Sequence, residues 1–314
     1  SKFKLGLNYL SFVFSSIIVG SWKLKKQGFD AIFVYEPSPA TVGLTAVWFK
    51  KIKKVPVIFW TLDLWPESLS SVGILNSKLI LFFVEKIVEF IYSRCDLILA
   101  QSNSFINLIE KHLKKDVRIE YFPSWSENIP ESTELAQEVV FNKKNLNILF
   151  TGNIGEAQDF PAIIDAAEYL RSENVRWLIV GDGRMNDWLK AEVINRDLEY
   201  QVILLGEFPI ERMHSFYNHS QALLVSLKRD YYLSLVIPGK VQSYLMSGLP
   251  ILGMVGGETE KIIKDSGCGY TCKPGDGIAL AGIVNKMILT SDANKKSMGA
   301  RGRNYATQKF DRNM

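Results

Sequence analysis

The amino-acid sequence predicts an α/β protein of two domains, each a parallel β-sheet covered by helices on both faces. The chain has 314 residues, too many for one ordinary open-sheet domain and comfortable for two. Short β-branched runs alternate with helical periodicity twice along the chain, a pattern typical of parallel sheets. A polar, proline-bearing segment from Pro123 to Asn145 separates the two series. We expect a first domain at 1–130, a linker at 131–145, a second domain at 146–295 and a terminal helix at 296–314 that returns towards the first domain.

The first series follows an apolar segment that we expect to be helical, Leu5 to Trp22. Its β-branched and aromatic runs are typical of buried parallel strands. The sequence predicts strands at 31–36, 55–60, 96–102 and 117–122, and helices at 41–54, 78–92 and 104–113. Four strands are fewer than the mean sheet contains, and the series opens with a helix. We therefore expect an N-terminal piece of this domain to be absent from the sequence.

The second series is longer and more regular. The sequence predicts strands at 147–152, 176–183, 201–206, 222–227, 250–255 and 269–272, and helices at 161–171, 185–194, 241–246 and 258–265. Two such units joined by a linker predict Rossmann-like domains that face a cleft. Ligands of open α/β sheets bind at the carboxyl ends of strands, so we expect the functional residues there.

Composition excludes several classes of protein. The chain is 47% hydrophobic and 12% aromatic, which excludes a disordered chain. A net charge of +4 is too small to indicate nucleic-acid binding and fits phosphate-bearing ligands or anionic lipid. Three sparse cysteines, Cys95, Cys268 and Cys272, argue against a disulfide framework and for the reducing cytoplasm. They form no zinc pattern.

The apolar segment Leu5–Trp22 carries a membrane hypothesis. Lysines flank it at Lys2, Lys4, Lys23, Lys25 and Lys26. It is barely long enough to span a bilayer, so we favour a helix that lies on a membrane surface or is buried in the domain. The prediction is a peripheral protein at the inner face of the cell membrane.

The motifs exclude two large enzyme classes and a metal. No G-x-G-x-x-G follows a strand, and Gly239-Lys240 is followed by Val241, so neither a dinucleotide oxidoreductase nor a P-loop NTPase is supported. No Asp-x-Asp occurs, and a metal clamp on a diphosphate needs paired carboxylates. We expect no metal and no cofactor.

Glycine motifs end the first two strands of the second series. Gly152 and Asn153 follow one strand, and Asp182, Gly183 and Arg184 follow the next. Glycines at strand ends allow close approach to a ligand, and a following helix N-terminus attracts phosphate. A tight turn without a ligand would give the same pattern.

Lys240 gives a sharper signal within Pro238-Gly239-Lys240-Val241-Gln242. A lysine at a helix N-terminus opposes the helix dipole and does not serve stability there. It is therefore a candidate anion ligand, with a solvated surface lysine as the alternative. Glu258 opens the next helix, where an acid is also a favourable first-turn residue.

These motifs together resemble a known family. FTGNIGEAQDF, LIVGDGR, LLGEFP, VIPGKVQSYLMSGLPIL and GGETEKIIKDSGCGY resemble the C-terminal domain of GT-B glycosyltransferases of family 4. FVYEPSPATVGL, FWTLDLWPESL and LAQSNSF resemble its N-terminal domain. The resemblance covers essentially the whole chain. It is closest to the branch of O-antigen, capsule and colanic-acid synthesis that includes L-fucosamine transferase-like members.

The resemblance implies a retaining transfer of a hexosyl or N-acetylaminosugar group from a nucleotide sugar, usually UDP-linked, without a metal. The acceptor would be a glycan or a polyprenyl-diphosphate-linked glycan, with no role for nucleic acid. It implies that Lys240 meets the diphosphate. The other donor contacts that it implies are Gly152 and Asn153 at the diphosphate, Asp182, Gly183 and Arg184 near the nucleotide, Phe208 near the base, Gln242 and Ser243 near the ribose, and Glu258 near the sugar.

The chain departs from the wider family at several positions. Two glutamates eight positions apart are replaced by Leu235 and Ser243, and a common histidine by Leu62. The usual Arg and Lys after the first strand of the second domain are also missing. Lys240 and Arg184 remain as the cations that could stabilise a departing diphosphate.

On the acceptor side, Glu36, Asp63 and Glu67 lie in two motifs at the ends of predicted strands of the first domain. Asp63 or Glu67 could act as a base or hold acceptor hydroxyls, whereas an N-cap role is the alternative for Asp63. Two other functions stay open. One is a GT-B-fold epimerase acting on the nucleotide sugar itself. The other is a non-catalytic relative that binds a sugar or a partner enzyme. The loss of the glutamate pair is the reason to retain this alternative.

Overall fold

A computed structural model describes residues 2–71, 75, 77–113, 115–126, 134–139 and 145–312. The chain forms two compact units, Ser1–Pro123 and Ser124–Met314, called unit 1 and unit 2 below. Both contain parallel sheets with helices, which confirms the predicted α/β class.

Unit 1 contains a four-stranded sheet of order β1-β2-β3-β4, and all its strand pairs are parallel. The predicted strands agree with the observed ones to within two residues at each end. In chain order its elements are α1 (Lys2–Lys23), β1 (Ile32–Glu36), α2 (Val42–Lys53), β2 (Val57–Thr61), α3 (Glu67–Ser71), α4 (Lys78–Tyr92), β3 (Leu97–Ala100), α5 (Asn103–His112) and β4 (Arg118–Tyr121).

The N-terminal apolar segment is the helix α1, which packs with one side on α2. The Ser16 and Thr45 hydroxyls lie 2.8 Å apart, and a Cβ on Gly20 would lie 2.7 Å from the Phe49 ring. Gly20 therefore permits the close approach of the two helices. Among the residues described, no helix combines the length and hydropathy needed to cross a membrane.

Unit 2 contains a six-stranded parallel sheet of order β10-β9-β8-β5-β6-β7. Its first strand, β5, lies between β8 and β6, so the strand order reverses beside β5. In chain order its elements are β5 (Leu146–Thr151), α6 (Phe160–Tyr169), β6 (Val175–Val180), α7 (Asn186–Asn195), β7 (Val202–Gly206), α8 (Met213–Tyr217), β8 (Ala222–Ser226), α9 (Tyr231–Leu235), α10 (Lys240–Ser247), β9 (Ile251–Met254), α11 (Gly257–Ser266), β10 (Gly269–Cys272), α12 (Gly277–Ile288) and α13 (Asp292–Lys309).

Alternate residues of the unit 2 strands feed two buried apolar clusters. Phe150 and Trp177 pack in a cluster with residues of α6 and α12. The neighbouring Leu149 and Leu178 pack in a second cluster with residues of α8 and α10. Because successive strand side chains point to opposite faces of a sheet, both faces of this sheet are covered, as predicted.

The last helix, α13, packs on α10 and α11 of unit 2. The Arg301 guanidinium donates to the carbonyl of Gly267 at 2.6 Å, and that of Arg303 donates to the carbonyl of Met246 at 2.9 Å. These carbonyls lie at the C-termini of α11 and α10, where helices leave acceptors unpaired. The expected return of this helix towards the first domain stays a prediction.

Part of the predicted linker lies outside the described residues. The described stretch at 134–139 is irregular and packs on unit 2. Ala136 is buried, and its amide donates to the Ser215 carbonyl at 3.3 Å. Glu138 pairs with Arg212 at 3.0 Å.

Candidate functional site

The carboxyl ends of three neighbouring strands of unit 2, β5, β6 and β7, enclose a cavity of about 370 Å³. Four residues that the sequence assigns to donor binding line it: Gly152, Asn153, Asp182 and Phe208. Thr151 and Gly181, from the same two strand-end motifs, also line it. The remaining lining residues, Val180, Glu207, Ile210 and Met213, carried no signal in the sequence. This strand-end cavity lies where ligands bind in open α/β sheets.

The two strand-end turns depend on each other through their glycines. Gly152 and Gly181 have φ values of 118° and 140°, where side chains are rarely tolerated. A Cβ on Gly181 would lie 1.9 Å from the Gly152 carbonyl oxygen, and one on Gly183 would lie 2.3 Å from that of Ile154. Packing between the turns therefore accounts for Gly181 and Gly183 without a ligand.

Lys240 is the first residue of α10 and lies beside the strand-end cavity. Its Nζ is 3.7 Å from the centroid of the Phe150 ring and would be 3.3 Å from a Cβ placed on Gly152. Burial lowers the pKa of the Lys240 ammonium to about 7, because a low-dielectric environment disfavours the charged form. Lys240 is half-buried, with its ammonium over an aromatic ring, which favours the anion ligand over the solvated surface lysine weighed from the sequence.

Phe208 belongs to an aromatic wall of the strand-end cavity. Its ring centroid lies 4.8 Å from that of Phe216, and the Arg212 guanidinium lies 5.4 Å from the Phe208 centroid. Arg212 also pairs with Glu138. An apolar wall with a fixed ring is typical of small-molecule sites.

The remaining donor-side predictions have different surroundings. Gln242 is buried, and its amide nitrogen donates to the carbonyls of Gly239 and Pro238 at 2.9 and 3.1 Å. In that orientation of the amide, the bonds tie Gln242 to the turn before α10, and the ribose contact predicted for it stays a prediction. Ser243 is half-buried on α10, Glu258 is half-buried in the first turn of α11, and Arg184 is exposed before α7.

In unit 1, the acceptor-side residues lie at the ends of β1 and β2. Asp63 is half-buried, and its Oδ2 accepts a hydrogen bond from the Trp65 indole at 3.2 Å. Glu36 is completely buried, and burial, with a smaller effect of the nearby Asp63, raises the pKa of the Glu36 carboxyl well above its ordinary value. Both carboxyl oxygens of Glu36 are buried without a hydrogen-bond partner among the described residues, and the acceptor contact predicted for Glu36 stays a prediction.

Glu67 forms a pair that the sequence analysis missed. Its Oε1 lies 2.9 Å from Nε2 of His112, the last residue of α5. The hydrogen bond to Glu67 raises the pKa of His112 above its ordinary value, whereas burial lowers it. Glu67 therefore joins α3 to α5, so it is an anchoring residue rather than a free acceptor ligand in this structure.

Within the described parts of the chain, no group of three or more His, Cys, Asp or Glu side chains is placed to hold a metal ion.

Comparisons with known proteins point in one direction. The family model described as Glycosyl transferases group 1 matches residues 131–305, more than half of the chain. A curated relative, the probable glycosyltransferase WbjE of Pseudomonas aeruginosa, is 24% identical over 256 residues. That match covers 79% of this chain and 63% of the relative, so the chain spans less than two thirds of the relative's length.

Solved structures share the fold. Sucrose-phosphate synthase of Thermosynechococcus elongatus superposes with a TM-score of 0.73 at 14% identity, covering 94% of this chain and 73% of that one. HepE of Anabaena, solved in complex with UDP-glucose, gives a TM-score of 0.71 at 14% identity, covering 96% and 78%. At such identities the likeness concerns the fold alone.

Proposed function

Because the chain belongs to the family of group 1 glycosyl transferases, we propose that it transfers a sugar from a nucleotide donor, with UDP as the nucleotide. The observation that carries this proposal is the strand-end cavity of unit 2 with the Lys240 ammonium beside Gly152. A positive group beside a glycine turn suits a diphosphate, and the adjoining cavity suits the attached nucleoside. HepE, which has this fold, was solved with UDP-glucose bound.

In the proposed reaction, an acceptor hydroxyl oxygen bonds to the anomeric carbon on the face from which the diphosphate departs, as the bond from that carbon to the diphosphate oxygen breaks. The hydroxyl proton passes to the departing diphosphate oxygen. The electron pair of that bond leaves with UDP. Lys240 stabilises the negative charge that develops on the diphosphate, assisted by main-chain amides at Gly152 and Asn153. Arg184, exposed at the neighbouring turn, is a secondary cation. The proposed transfer retains anomeric configuration and uses no metal.

Two of the other proposed donor contacts are supported by the lining of the cavity. Asp182 and the main chain at Phe208 flank the space assigned to the nucleoside. Ser243 and Glu258, on α10 and α11, remain proposed contacts of ribose and donor sugar. In unit 1, Asp63 is the proposed acceptor-side residue, as a base or a hydroxyl ligand. The proposed branch is the family 4 group that builds bacterial O-antigen, capsule and related glycans.

A membrane location would suit a lipid-linked acceptor. The face of α1 that does not pack on α2 exposes large apolar side chains, including Phe14, Ile18 and Trp22, with Trp22 77% exposed. Exposed lysines follow at Lys23 and Lys25. We propose that this face lies on the anionic inner surface of the cell membrane, since buried apolar area and basic charge act together there.

Two experiments test the proposal. The protein is titrated with UDP in calorimetry, with and without a chelator, and then incubated with a panel of UDP-sugars and a polyprenyl-diphosphate glycan, with products measured by mass. We expect chelator-independent binding and a glycosylated acceptor. An isomerised donor without any acceptor product would instead identify an epimerase. Binding without turnover would identify a non-catalytic relative.

Membrane association is tested by flotation with vesicles. We expect binding to anionic vesicles that is lost when Phe14, Ile18 and Trp22 are changed together to serine. The matched control changes Tyr200 and Leu289, which are 85% and 86% exposed in unit 2. Equal binding of the wild type to neutral and anionic vesicles at low salt would contradict the proposal.

A further inference from the structure

The end of β5 has one neighbouring strand instead of two. The register of β5 with β6 continues to Thr151, whereas its register with β8 covers Ile148 and Leu149. This is the position at which the strand order reverses. The Gly152 amide donates to Val180 on the β6 side at 2.9 Å. Because successive residues of a strand direct their N–H groups to opposite sides, the Thr151 amide points to the β8 side.

The helix α10 supplies the missing partner there. The Tyr244 hydroxyl accepts a hydrogen bond from the Thr151 amide at 2.8 Å and lies 3.2 Å from the Thr151 hydroxyl. Tyr244 is completely buried. Thr151 is half-buried, and an N–H left without a partner there would be costly, so this hydroxyl helps to fix the position of the Thr151 main chain.

The same helix face carries the candidate phosphate ligand. Lys240 precedes Tyr244 by four residues, a spacing that places both side chains on one face of a helix. The Lys240 Nζ lies over the Phe150 ring and next to Gly152. The α10–β5 contact, made by Lys240 and Tyr244 with Phe150, Thr151 and Gly152, thus joins the cation and the strand-end turn.

We propose that Tyr244 is a positioning residue that holds the main chain at Thr151–Gly152 in a fixed relation to Lys240, so that both meet a nucleotide diphosphate as one preformed site. This inference rests on the proposed function. A site that is already ordered loses less freedom on binding than one that must form. Tyr244 itself touches no ligand, because its hydroxyl is occupied by Thr151.

Tyr244→Phe removes the hydroxyl and keeps the ring. The matched control is Tyr270→Phe, which removes a hydroxyl of unit 2 that lies 3.0 Å from Thr290, in β10, a strand that does not line the strand-end cavity. Calorimetry compares UDP, which carries the diphosphate, with uridine, which does not. We expect Tyr244→Phe to weaken UDP binding roughly threefold to tenfold, the range for loss of one hydrogen bond. The affinity of Tyr244→Phe for uridine should stay within about twofold of the wild-type value. The control Tyr270→Phe should change the affinity for neither UDP nor uridine.

Two further measurements separate positioning from a general structural effect. Amide hydrogen exchange at Thr151 should accelerate in Tyr244→Phe and not in Tyr270→Phe. In a Lys240→Met background, adding Tyr244→Phe should weaken UDP binding less than it does in the wild type, since coupled residues are not additive.

Three results would overturn the inference. They are equal weakening of UDP and uridine, full UDP affinity despite faster Thr151 exchange, and additivity of the two substitutions. Failure of the wild type to bind UDP is a separate outcome that refutes the proposed function, and with it the diphosphate role of the α10–β5 contact. Thr151 exchange then decides whether Tyr244 orders the main chain at all.

Discussion

Lys240→Met should make the ligand-free protein more stable while it weakens UDP binding. Burial lowers the pKa of this lysine from 10.5 to about 7. At about 1.36 kcal/mol per pKa unit, the charged form is disfavoured by on the order of 5 kcal/mol. The Phe150 ring below the ammonium offsets about 2 kcal/mol of this. Methionine keeps the apolar stem without the charge, so we expect a gain on the order of 1–3 kcal/mol.

The stability difference between Lys240→Met and the wild type should depend on pH. Below about pH 7 the lysine is protonated in both folded and unfolded chains, so the full destabilisation is present. Between about pH 7 and 10.5 the unfolded chain binds more protons, so the stability of the wild type rises with pH. The advantage of Lys240→Met should therefore be largest at or below pH 7 and shrink as pH rises towards 10.5.

The assay is thermal unfolding at pH 6.5 and pH 9, paired with UDP calorimetry at pH 7. A gain of that size should raise Tm by roughly 2–10 °C at pH 6.5. Loss of a charge-assisted contact should weaken UDP binding roughly 10- to 150-fold. Lys190→Met, at an exposed lysine of α7, serves as the matched control and should change neither. A Lys240→Met protein less stable than the wild type at pH 6.5, or one with full UDP affinity, would refute the reasoning.

Three further substitutions test other parts of the structure. His112→Gln should remove the stabilisation that the protonated His112 gives the wild type. The wild type has this stabilisation in full below about pH 6.5 and loses it as pH rises through the raised pKa of His112. Urea unfolding should therefore show a larger loss of stability at pH 6 than at pH 8, and an equal loss at both pH values would contradict the prediction. Gly299→Ala should destabilise unit 2 by about 1–3 kcal/mol, because its Cβ would lie 1.7 Å from the Gly248 carbonyl oxygen. The control is Gly282→Ala on α12, where a Cβ meets open space, and it should stabilise unit 2 by up to about 1 kcal/mol. Similar melting temperatures for the two variants would count against the close contact between Gly299 and Gly248. Arg184 is exposed, so Arg184→Met should leave Tm unchanged. In calorimetry it should weaken UDP binding less than Lys240→Met does. If it weakened UDP binding more, Arg184 and not Lys240 would be the main cation at the diphosphate.

The sequence predicted the strands well because buried parallel strands are short, continuous and β-branched. Residues 78–92 and 269–272 were predicted with the observed bounds of α4 and β10. The amphipathic helix and the strand each have one dominant period, and turn residues bound both. The short helices α3, α8 and α9 were missed, since five residues are too few to establish a helical period.

The candidate site was predicted less completely because a strand end fixes where a residue lies and not where its side chain points. Glu36 ends β1 and Asp63 follows β2, yet one is completely buried and the other half-buried. Gln242 lies next to Ser243 on α10 but is buried against main-chain carbonyls. Tyr244 could have been found, since it follows Lys240 at the spacing of one helical turn. The hydrogen bond from Thr151 requires the tertiary structure.

The residues that indicate a ligand most strongly are those whose placement works against folding. Gly181 and Gly183 are explained by the packing of two turns against each other, so their presence alone says little about a ligand. Lys240 is not explained by packing in this way, because it is half-buried at a helix end that repels a positive charge, and burial lowers its pKa. Stability sacrificed in this way is typical of sites where activity needs a strained or destabilised arrangement. A bound diphosphate would offset this cost, because its negative charge beside Lys240 would favour the charged form of the ammonium.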